Sequence, residues 1–281
     1  MNRRSYILLV LLFFNLLVWF GVAQATPSAQ LKVAFLDIGQ GDSILIESPT
    51  GGQVLIDGGS GRQVLRALGK QMAFSDRFID VVIATHPDAD HIGGLPSVLE
   101  RYRVGSFIET GLRSSTTPDQ LFLETIAKQK IPILIAWRGM KINLGGGAVL
   151  EILFPDRDPV EMETNTSSVV AKLTYGATDF LLTGDSPIAI ERYLVGLDGD
   201  KIDVEVLKAG HHGSKTSTSQ EFVSQTSPDY AVISAGFNNR YGHPHPEVVE
   251  RLRASGAQVL NTAKVGTILF TTDGTSLKLA D

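Results

Sequence analysis

The chain has 281 residues, of which 43% are hydrophobic and 20% are charged, a balance that excludes a mainly disordered protein. It contains no cysteine, which excludes disulfides, thiolate zinc sites and iron–sulfur clusters. The formal net charge of −5 argues against a protein that holds nucleic acid on a broad basic face.

The N-terminal segment differs in composition from the rest of the chain. Arg3 and Arg4 precede an apolar run over residues 6–23, and the small residues Ala23 and Ala25 follow as a possible cleavage site. This pattern is typical of a secretory signal, but the run is also close to the ~20 residues that span a bilayer as a helix. We therefore predict that residues 1–25 form either a cleaved signal or an uncleaved membrane anchor. In both cases the remainder of the chain is exported.

Residues 26–30 are predicted to be a linker, and residues 31–281 are predicted to form one domain. In chain order, its predicted strands are 31–37, 43–47, 54–56, 80–85, 106–109, 131–136, 141–144, 149–154, 169–175, 180–183, 204–208, 230–234, 257–260 and 267–271. The predicted helices are 64–72, 96–102, 120–128, 187–194, 220–225 and 246–255. Strands with helices between them predict an α/β domain with two sheets and outer helices. Residues 131–154 could instead form a small β subdomain.

The segment HPDADH, residues 86–91, carries the strongest chemical signal. It follows an apolar strand directly and offers four candidate metal ligands, namely His86, Asp88, Asp90 and His91. Oxygen and imidazole groups at this density would repel one another or stay poorly satisfied without a cation. The H-x-D-x-D-H spacing divides alternate ligands between two ions, so it predicts a two-metal centre. A solvated loop is the alternative.

Three other predicted strands also end in a candidate ligand. Asp57, Asp185 and the pair His211-His212 each follow an apolar strand and precede or follow a glycine. Any one of them alone is typical of a turn. Because parallel strands gather such ends along one edge of a sheet, we expect them to converge on the HPDADH segment. Asp185 is suited to bridging two ions, since a carboxylate has two oxygens.

Five segments taken in order carry a family resemblance. They are LDIGQGDSILIES, THPDADHIGGL, LLTGD, VLKAGHHGSKTSTS and YGHPHPEVVERL. They resemble the metallo-β-lactamase superfamily and, within it, the extracellular C-terminal domain of ComEC-type DNA-uptake proteins, over about residues 31–271. The resemblance extends to choline-phosphate esterases of that branch. It implies an αββα sandwich of two mixed β-sheets flanked by helices, a two-metal cleft between the sheets, and hydrolysis of a phosphodiester. We expect a free-standing version of the enzymatic domain.

The resemblance also implies a set of metal ligands. The first metal ion would be held by His86, Asp88 and Asp185, and the second by Asp90, His91, His212 and Asp185. Asp88 stands where the superfamily usually has histidine, and this extra oxygen ligand admits Mn²⁺ as well as Zn²⁺. Asp57 is expected to orient a metal-bound histidine from behind. The superfamily histidine that precedes Asp185 is absent, and Asn165 could be a weak ligand or only a hydrogen-bonding group.

Further residues are candidates for catalysis and substrate binding. Asp90, His211 and His243 are the predicted catalytic residues, because His211 could contact phosphate and His243 has an imidazole whose ordinary pKa, near ~6.5, suits a proton donor to the leaving alkoxide. Ser214 and Lys215 are predicted substrate contacts. Lys215 and the hydroxyls of residues 216–219 supply a positive charge and hydrogen bonds for phosphate, or belong to a helix N-cap. His245 is a predicted substrate contact. His243 and His245 could also merely cap turns.

The function predicted from the sequence is that of an exported two-metal phosphodiesterase or nuclease. Its expected partner is a phosphodiester substrate, DNA included, and membrane association through residues 6–23 is the alternative to secretion. Two other functions stay open. One is hydrolysis of a different bond, such as a cell-wall phosphocholine ester, a lactone or a β-lactam. The other is a metal-binding interaction domain without catalysis. The oligomeric state is not predicted.

Overall fold

The computed structural model describes residues 3–25 and 30–280 of the chain. Helix α1 (Arg3–Ala25) contains the apolar run, and its large apolar side chains from Tyr6 to Trp19 are exposed. In these two ranges no helix has both the length and the apolar character needed to cross a membrane. Export by a signal or an anchor stays a prediction. Most of the predicted linker, residues 26–29, lies outside the described residues, as does residue 281.

The domain contains fifteen strands in the described residues. They are β1 (Leu31–Phe35), β2 (Ile44–Glu47), β3 (Gln53–Ile56), β4 (Phe78–Ala84), β5 (Arg103–Glu109), β6 (Ile133–Ile135), β7 (Lys141–Gly145), β8 (Ala148–Phe154), β9 (Val170–Tyr175), β10 (Thr178–Leu182), β11 (Val206–Lys208), β12 (Tyr230–Ile233), β13 (Gln258–Asn261), β14 (Ile268–Thr272) and β15 (Leu277–Leu279). The further helices are α2 (Gln63–Gln71), α3 (Ala89–Ile92), α4 (Leu95–Arg101), α5 (Thr117–Gln129), α6 (Ile188–Asp198), α7 (Gln220–Thr226), α8 (Pro246–Ala254) and α9 (Thr262–Val265).

These strands form two mixed sheets. The first has the order β15-β14-β1-β2-β3-β4-β5-β6, and the second has the order β13-β12-β11-β10-β9-β8-β7. Strands β3 to β6 run parallel in the first sheet, and β10 to β13 run parallel in the second. The remaining neighbours pair antiparallel. Both parallel blocks therefore end in loops on which functional side chains can be placed.

The core has three layers because each sheet is covered on both faces. Val33 and Phe35 of β1 point into the layer between the sheets, whereas Ala34 points to the helices outside. Phe180 from the second sheet meets Phe270 from the first edge to face, with 6.0 Å between ring centroids. Helices α2, α4 and α5 pack on the first sheet, and α6, α7 and α8 pack on the second. The predicted αββα sandwich is confirmed.

The structure differs from the predicted elements at a few positions. The alternative β subdomain over residues 131–154 is wrong, because β6 ends the first sheet while β7 and β8 belong to the second. Helix α3 occupies part of the HPDADH segment, where a loop was expected. Helices α3 and α9 have four residues each and β15 has three, too few for hydrophobic periodicity to reveal.

Candidate metal centre

The HPDADH segment turns sharply because α3 begins inside it. The backbone N–H of His91 donates to the carbonyl of Asp88 at 3.0 Å, which closes the first turn directly after strand β4. Gly94 follows, and a Cβ atom there would lie 2.0 Å from the carbonyl oxygen of Gly58. Only glycine permits this approach, so the loop after β4 is pressed against the loop after β3. The turn buries His86 and His91 at the junction between the sheets.

Three histidine rings present one nitrogen each to a common cluster. The Nε2 atoms of His86, His91 and His212 are buried, and none has a hydrogen-bond partner within the described part of the chain. A buried nitrogen without a partner is costly in a protein interior unless a water molecule or an ion satisfies it. Neutral imidazole nitrogen is also a common ligand of transition metals. The three atoms therefore fit a metal centre.

The opposite nitrogen of each ring is held by the protein. His86 Nδ1 lies 3.0 Å from the hydroxyl of Thr85, and His91 Nδ1 lies 2.7 Å from a carboxylate oxygen of Asp57. His212 Nδ1 lies 2.9 Å from the carbonyl oxygen of Ser234 at the end of β12. Contacts of this kind fix the ring orientation and leave Nε2 available as a ligand.

Asp185 lies at the centre of the cluster. Its Oδ2 atom is 3.3 Å from His91 Nε2, 3.4 Å from His212 Nε2 and 3.6 Å from His211 Nε2. Its backbone N–H donates to the hydroxyl of Ser168 at 3.2 Å, which fixes the residue after β10. One carboxylate within reach of several imidazoles is the geometry expected of a ligand shared between two ions.

His211 and His212 reach the cluster through an unusual backbone. They lie in a 3₁₀ turn (Gly210–Gly213) after β11, and both adopt the left-handed region with φ of 48° and 55°. Non-glycine residues rarely adopt this region, and strained conformations cluster at functional sites. The turn buries His212, whereas the side chain of His211 stays 26% exposed at the mouth.

Four groups of side chains are close enough to hold a metal ion. They are His86–His91–Asp185, Asp90–His91–His212, Asp42–Asp185–His212 and Asp42–Asp57–His91. The first two groups share His91 and correspond in outline to the two predicted ions. Asp88 is in none of the four, but its Oδ2 lies 3.6 Å from His86 Nε2 and accepts from the hydroxyl of Thr164. Asp90 Oδ2 lies 3.3 Å from His212 Nε2.

The charges of the cluster depend on one another. Burial alone would lower the pKa of His91 and of His212, but the carboxylate of Asp185 and a second carboxylate beside each ring outweigh burial and hold both values well above the ordinary range. Burial would likewise raise the pKa of Asp185, but the two imidazoles hold it well below its ordinary range. Protons on the imidazoles thus balance the buried carboxylate, and a divalent cation would take their place.

Asp42 and Lys208 belong to the site, although the sequence analysis did not single them out. Asp42 is 1% exposed and forms an ion pair with the buried amino group of Lys208. Lys208 also donates to the carbonyl oxygen of Gly184 at 2.9 Å and lies 3.9 Å from Asp185 Oδ1. Asp42 Oδ1 lies 3.3 Å from His212 Nδ1. Burial would raise the pKa of Asp42, but Lys208 and His212 lower it.

Asp57 lies behind His91, as the resemblance implied. Its two oxygens accept from the backbone N–H and the hydroxyl of Thr85, at 2.8 and 2.7 Å, and contact His91 Nδ1. Asn165 begins a 3₁₀ turn (Asn165–Ser167), and its buried Oδ1 has no hydrogen-bond partner within the described residues. Asn165 is in none of the four candidate ligand groups.

A cavity of about 130 Å³ opens from the cluster toward solvent. It is lined by Gln40, Asp88, Asp90, Asp185, His211, His212, Tyr241 and His243. Burial, together with His211, His212 and His245, lowers the pKa of His243 to about 4. The ring is therefore neutral near pH 7, and its role as a proton donor stays a prediction. Burial also lowers the pKa of His211.

Three predicted substrate contacts do not line this cavity. The hydroxyl of Ser214 contacts that of Thr216 at 2.9 Å and accepts from its backbone N–H. The backbone N–H of Lys215 donates to His245 Nδ1 at 3.3 Å. Ser214 is thus bonded within its own loop, whereas the backbone of Lys215 contacts the segment that precedes α8. Their prediction as substrate contacts gains no support from this geometry.

Comparisons with known proteins agree with this architecture. ComE operon protein 3 of Bacillus subtilis is 33% identical over 260 residues, which cover 86% of this chain and 33% of that protein. Competence protein ComA of Neisseria gonorrhoeae is 30% identical and is matched over 88% of this chain and 33% of its own length. The chain thus spans about a third of the length of these relatives.

A solved structure shows the same fold at lower identity. The metallo-β-lactamase fold protein YhfI from Bacillus subtilis superposes with a TM-score of 0.57 at 11% identity, over 86% of this chain and all of that one. The family profile of the metallo-β-lactamase superfamily matches residues 36–236, which include every ligand candidate of the cluster. The fold, the order of the ligand loops and this match agree: the chain belongs to the metallo-β-lactamase superfamily.

Proposed function

We propose that the domain is a two-metal phosphodiesterase that cleaves nucleic acid strands. The observation that carries the proposal is the position of Asp185, whose Oδ2 lies within 3.3–3.6 Å of three imidazole Nε2 atoms. Asp185 also stands in two candidate ligand groups, one with His86 and His91 and one with Asp42 and His212, so one carboxylate is shared between two incomplete groups. Incomplete groups leave positions for water and substrate, as hydrolytic metal sites require.

The ligands of the two ions follow from the cluster. His86 and Asp185 would hold one ion, with Asp88 in reach, and Asp90, His91, His212 and Asp185 would hold the other. His91 can serve one ion alone, because its Nδ1 contacts Asp57 and leaves Nε2 as the ligand atom. Bound divalent ions lower the pKa of water and neutralise the charge that develops on phosphorus oxygens in the transition state. The mixture of carboxylates and imidazoles suits both Mn²⁺ and Zn²⁺.

The residues of the cavity would position the substrate. Neutral His243 presents a ring nitrogen to the cavity, where it can hydrogen-bond to a phosphate oxygen, and His211 lies beside it at the mouth. His243 Nδ1 is buried and has no hydrogen-bond partner in the described residues, so it has a free hydrogen-bonding position. Thr216 holds His211 through a 3.1 Å contact with Nδ1, which directs the other nitrogen toward Asp185.

The choice of nucleic acid rests on the relatives. One of them is named competence protein ComA and another ComE operon protein 3, and this chain matches about a third of each. The fold itself does not select a substrate, because one fold supports many reactions. The nuclease function is therefore tested directly rather than taken from the match.

The test uses the full chain in mild detergent, stripped of metal and then loaded with Mn²⁺ or Zn²⁺. We expect hydrolysis of bis(p-nitrophenyl) phosphate and of single-stranded DNA, lost on addition of chelator and restored by metal. The Asp185→Asn variant is the control for a contaminating nuclease, since it removes the shared carboxylate. Metal binding without hydrolysis of any phosphodiester would contradict the proposal, as would hydrolysis that survives this substitution.

We also propose that the domain acts outside the cytoplasm. Support comes from Arg3 and Arg4 before the apolar run, and from α1, whose apolar side chains find no cover in the described part of the chain. Cell fractionation of a chain with a C-terminal tag tests this, with protease added to intact cells or spheroplasts. If the protease leaves the tag uncut, as it leaves a cytoplasmic marker protein uncut, export is contradicted.

A further inference from the structure

A second, larger cavity adjoins the one at the metal cluster. Its volume is about 370 Å³, and it is lined by Gln40, Ser60, Ala89, Asp90, Asn239, Arg240 and Tyr241. The two cavities share Gln40, Asp90 and Tyr241, so they form one cleft with an inner part at the ligands and an outer part beyond them. The outer part alone falls within the ~300–1,000 Å³ of typical small-molecule sites.

A row of planar side chains connects the two parts of the cleft. His243 and Tyr241 stack with 5.7 Å between ring centroids and 20° between ring planes. The guanidinium of Arg240 lies 4.8 Å from the centroid of the Tyr241 ring, and its Nη2 donates to the Tyr241 hydroxyl at 2.6 Å. Phe237, in the same loop, is 80% exposed. The row thus runs outward from the cluster and ends at a planar cation.

The loop that carries this row is held in one conformation by Asn239. Its Oδ1 accepts from the backbone N–H groups of Tyr241 and His243, at 3.2 and 3.0 Å. Its Nδ2 donates to the carbonyl oxygens of Gly236 and His243. A loop tied at four points presents its side chains with little loss of conformational freedom on binding.

The outer part of the cleft also offers donors to an anion. Arg240 is the only lysine or arginine among the described residues that line the two cavities. Gln40 lines both cavities, and its buried Nε2 atom has no hydrogen-bond partner among the described residues. An amide donor and a guanidinium beside an aromatic ring match a phosphate attached to a planar base.

We propose that the outer cavity binds the nucleotide next to the cleaved phosphodiester in a single-stranded substrate. The base of that nucleotide stacks on the outer end of the row of planar side chains, at Tyr241 and Arg240. Its phosphate accepts hydrogen bonds from Arg240 and Gln40. This inference rests on the proposed function and names its substrate class. A single strand is required because the faces of a base in a duplex are covered by its neighbours. A choline headgroup is disfavoured, since the guanidinium of Arg240 would repel its positive charge.

The experiment measures binding separately from cleavage. Fluorescence anisotropy follows the full chain with a labelled oligothymidine and with an abasic strand of the same length, in chelator so that neither is cut. We expect the oligothymidine to bind about 10-fold more tightly than the abasic strand. Tyr241→Ala should bring this ratio near one, and Tyr241→Phe should keep it, because the ring remains.

Arg240 has a different expected signature. Arg240→Gln should weaken the binding of both strands and reduce the slope of log Kd against log salt by about 0.7, the value for one phosphate contact on a single strand. Phe74→Ala is the matched control, because Phe74 is 90% exposed and also has an arginine, Arg77, 5.3 Å from its ring. This control should change neither the ratio nor the slope.

The outcomes separate this inference from the proposed function. Equal affinity of the wild-type chain for the two strands, or a ratio that Tyr241→Ala leaves intact, would overturn the nucleotide site. Hydrolysis of bis(p-nitrophenyl) phosphate by the metal-loaded chain is measured in parallel, and its absence would overturn the phosphodiesterase proposal alone. A base preference without hydrolysis would identify a strand-binding domain with the proposed outer site.

Discussion

The Nδ1 atom of His91 lies 2.7 Å from the Oδ2 atom of Asp57. Because a carboxylate accepts hydrogen bonds, this contact keeps a ring proton on Nδ1, so that Nε2 is the nitrogen that gives up its proton when a metal ion binds. The ligand nitrogen of His91 is therefore selected by a residue that lies outside the two proposed ligand sets. The same carboxylate accepts from Thr85, which fixes the end of β4 relative to β3.

Asp57→Asn is expected to weaken metal binding by about 10- to 100-fold. The amide of the new side chain can donate to Nδ1 of His91, which would move the ring proton to Nε2, where the metal should bind. Competition with a chromophoric chelator measures the affinity. Asp229→Asn, at an exposed position before β12, is the matched control. An unchanged affinity in the Asp57 variant would contradict the orienting role.

Asp185→Asn is expected to remove activity and metal far more completely than His245→Ala. Asp185 lies within 3.6 Å of three imidazoles, whereas the ring of His245 accepts a hydrogen bond from the backbone N–H of Lys215 and is in none of the four candidate ligand groups. Elemental analysis and phosphodiester hydrolysis are measured on both variants, with thermal melting as a check of folding. Similar residual rates in two folded variants would show that Asp185 is not shared between ions.

The metal-free protein is expected to lose stability as the pH rises above about 7. A pKa that folding raises contributes stability that is complete below the unfolded value, near ~6.5 for histidine, and is lost as the pH rises through the folded value. His91 and His212 have such raised pKa values, and their deprotonation leaves the buried carboxylate of Asp185 uncompensated. Thermal melting of chelated protein against pH measures the loss.

Metal binding should remove this dependence. The ligands must be neutral imidazoles, so loading at pH 7 should release protons, and the affinity should fall as the pH is lowered. Titration calorimetry in buffers of different ionisation enthalpy counts the released protons. Binding without proton release would mean that His91 and His212 are not ligands. A flat melting profile of the chelated protein would contradict their raised pKa values.

Lys208→Met is expected to destabilise the metal-free protein by about 3–5 kcal/mol. The substitution leaves the carboxylate of Asp42 buried without its cation, and the pKa of that carboxyl is lowered partly by Lys208. The free energy of unfolding is measured with denaturant in chelator and again with metal. Lys215→Met, at an exposed position in the following loop, is the control. A loss of unfolding free energy equal to that of Lys215→Met would show that the Asp42–Lys208 ion pair is dispensable for stability.

His243→Ala is expected to lower turnover by about 10-fold while metal content is kept. With a pKa lowered to about 4, the ring is neutral at working pH and contributes a hydrogen bond rather than a transferable proton. The loss should therefore be similar on DNA and on bis(p-nitrophenyl) phosphate. Two results together would restore the proton-donor role predicted from the sequence. The variant would lose much more activity on DNA than on bis(p-nitrophenyl) phosphate, and the wild-type rate would fall as the pH rises above the pKa of His243.

Much of the site is visible in the sequence because its ligands follow apolar strands. His86, Asp185 and His212 each come directly after a buried parallel strand or its connecting turn, and such strand ends converge at one edge. Periodicity and turn residues likewise indicate the two layers of helices. The assignment of each ligand to an ion depends on ångström-scale side-chain placement, which residue spacing does not determine.

Asp42 and Lys208 were missed for different reasons. Asp42 follows Gly39-Gln40-Gly41, and an aspartate in a glycine-rich segment is typical of a turn. Its burial follows from the fold, since a Cβ atom on Gly41 would lie 2.0 Å from the carbonyl oxygen of Asp90. Lys208 did leave a signal. It ends an otherwise apolar strand, and lysine is almost never fully buried unless it is paired.

The pairing of β1 with β14 joins the two ends of the domain's sequence. Leu31 lies opposite Thr272 and Phe35 lies opposite Ile268, across nearly the whole length of the chain. Such distant contacts form late, because a long loop must close before they can offset its entropy. A growing chain therefore keeps the β1 edge open until its last strands have been synthesised. Closure of the first sheet is thus a step that follows synthesis of β14.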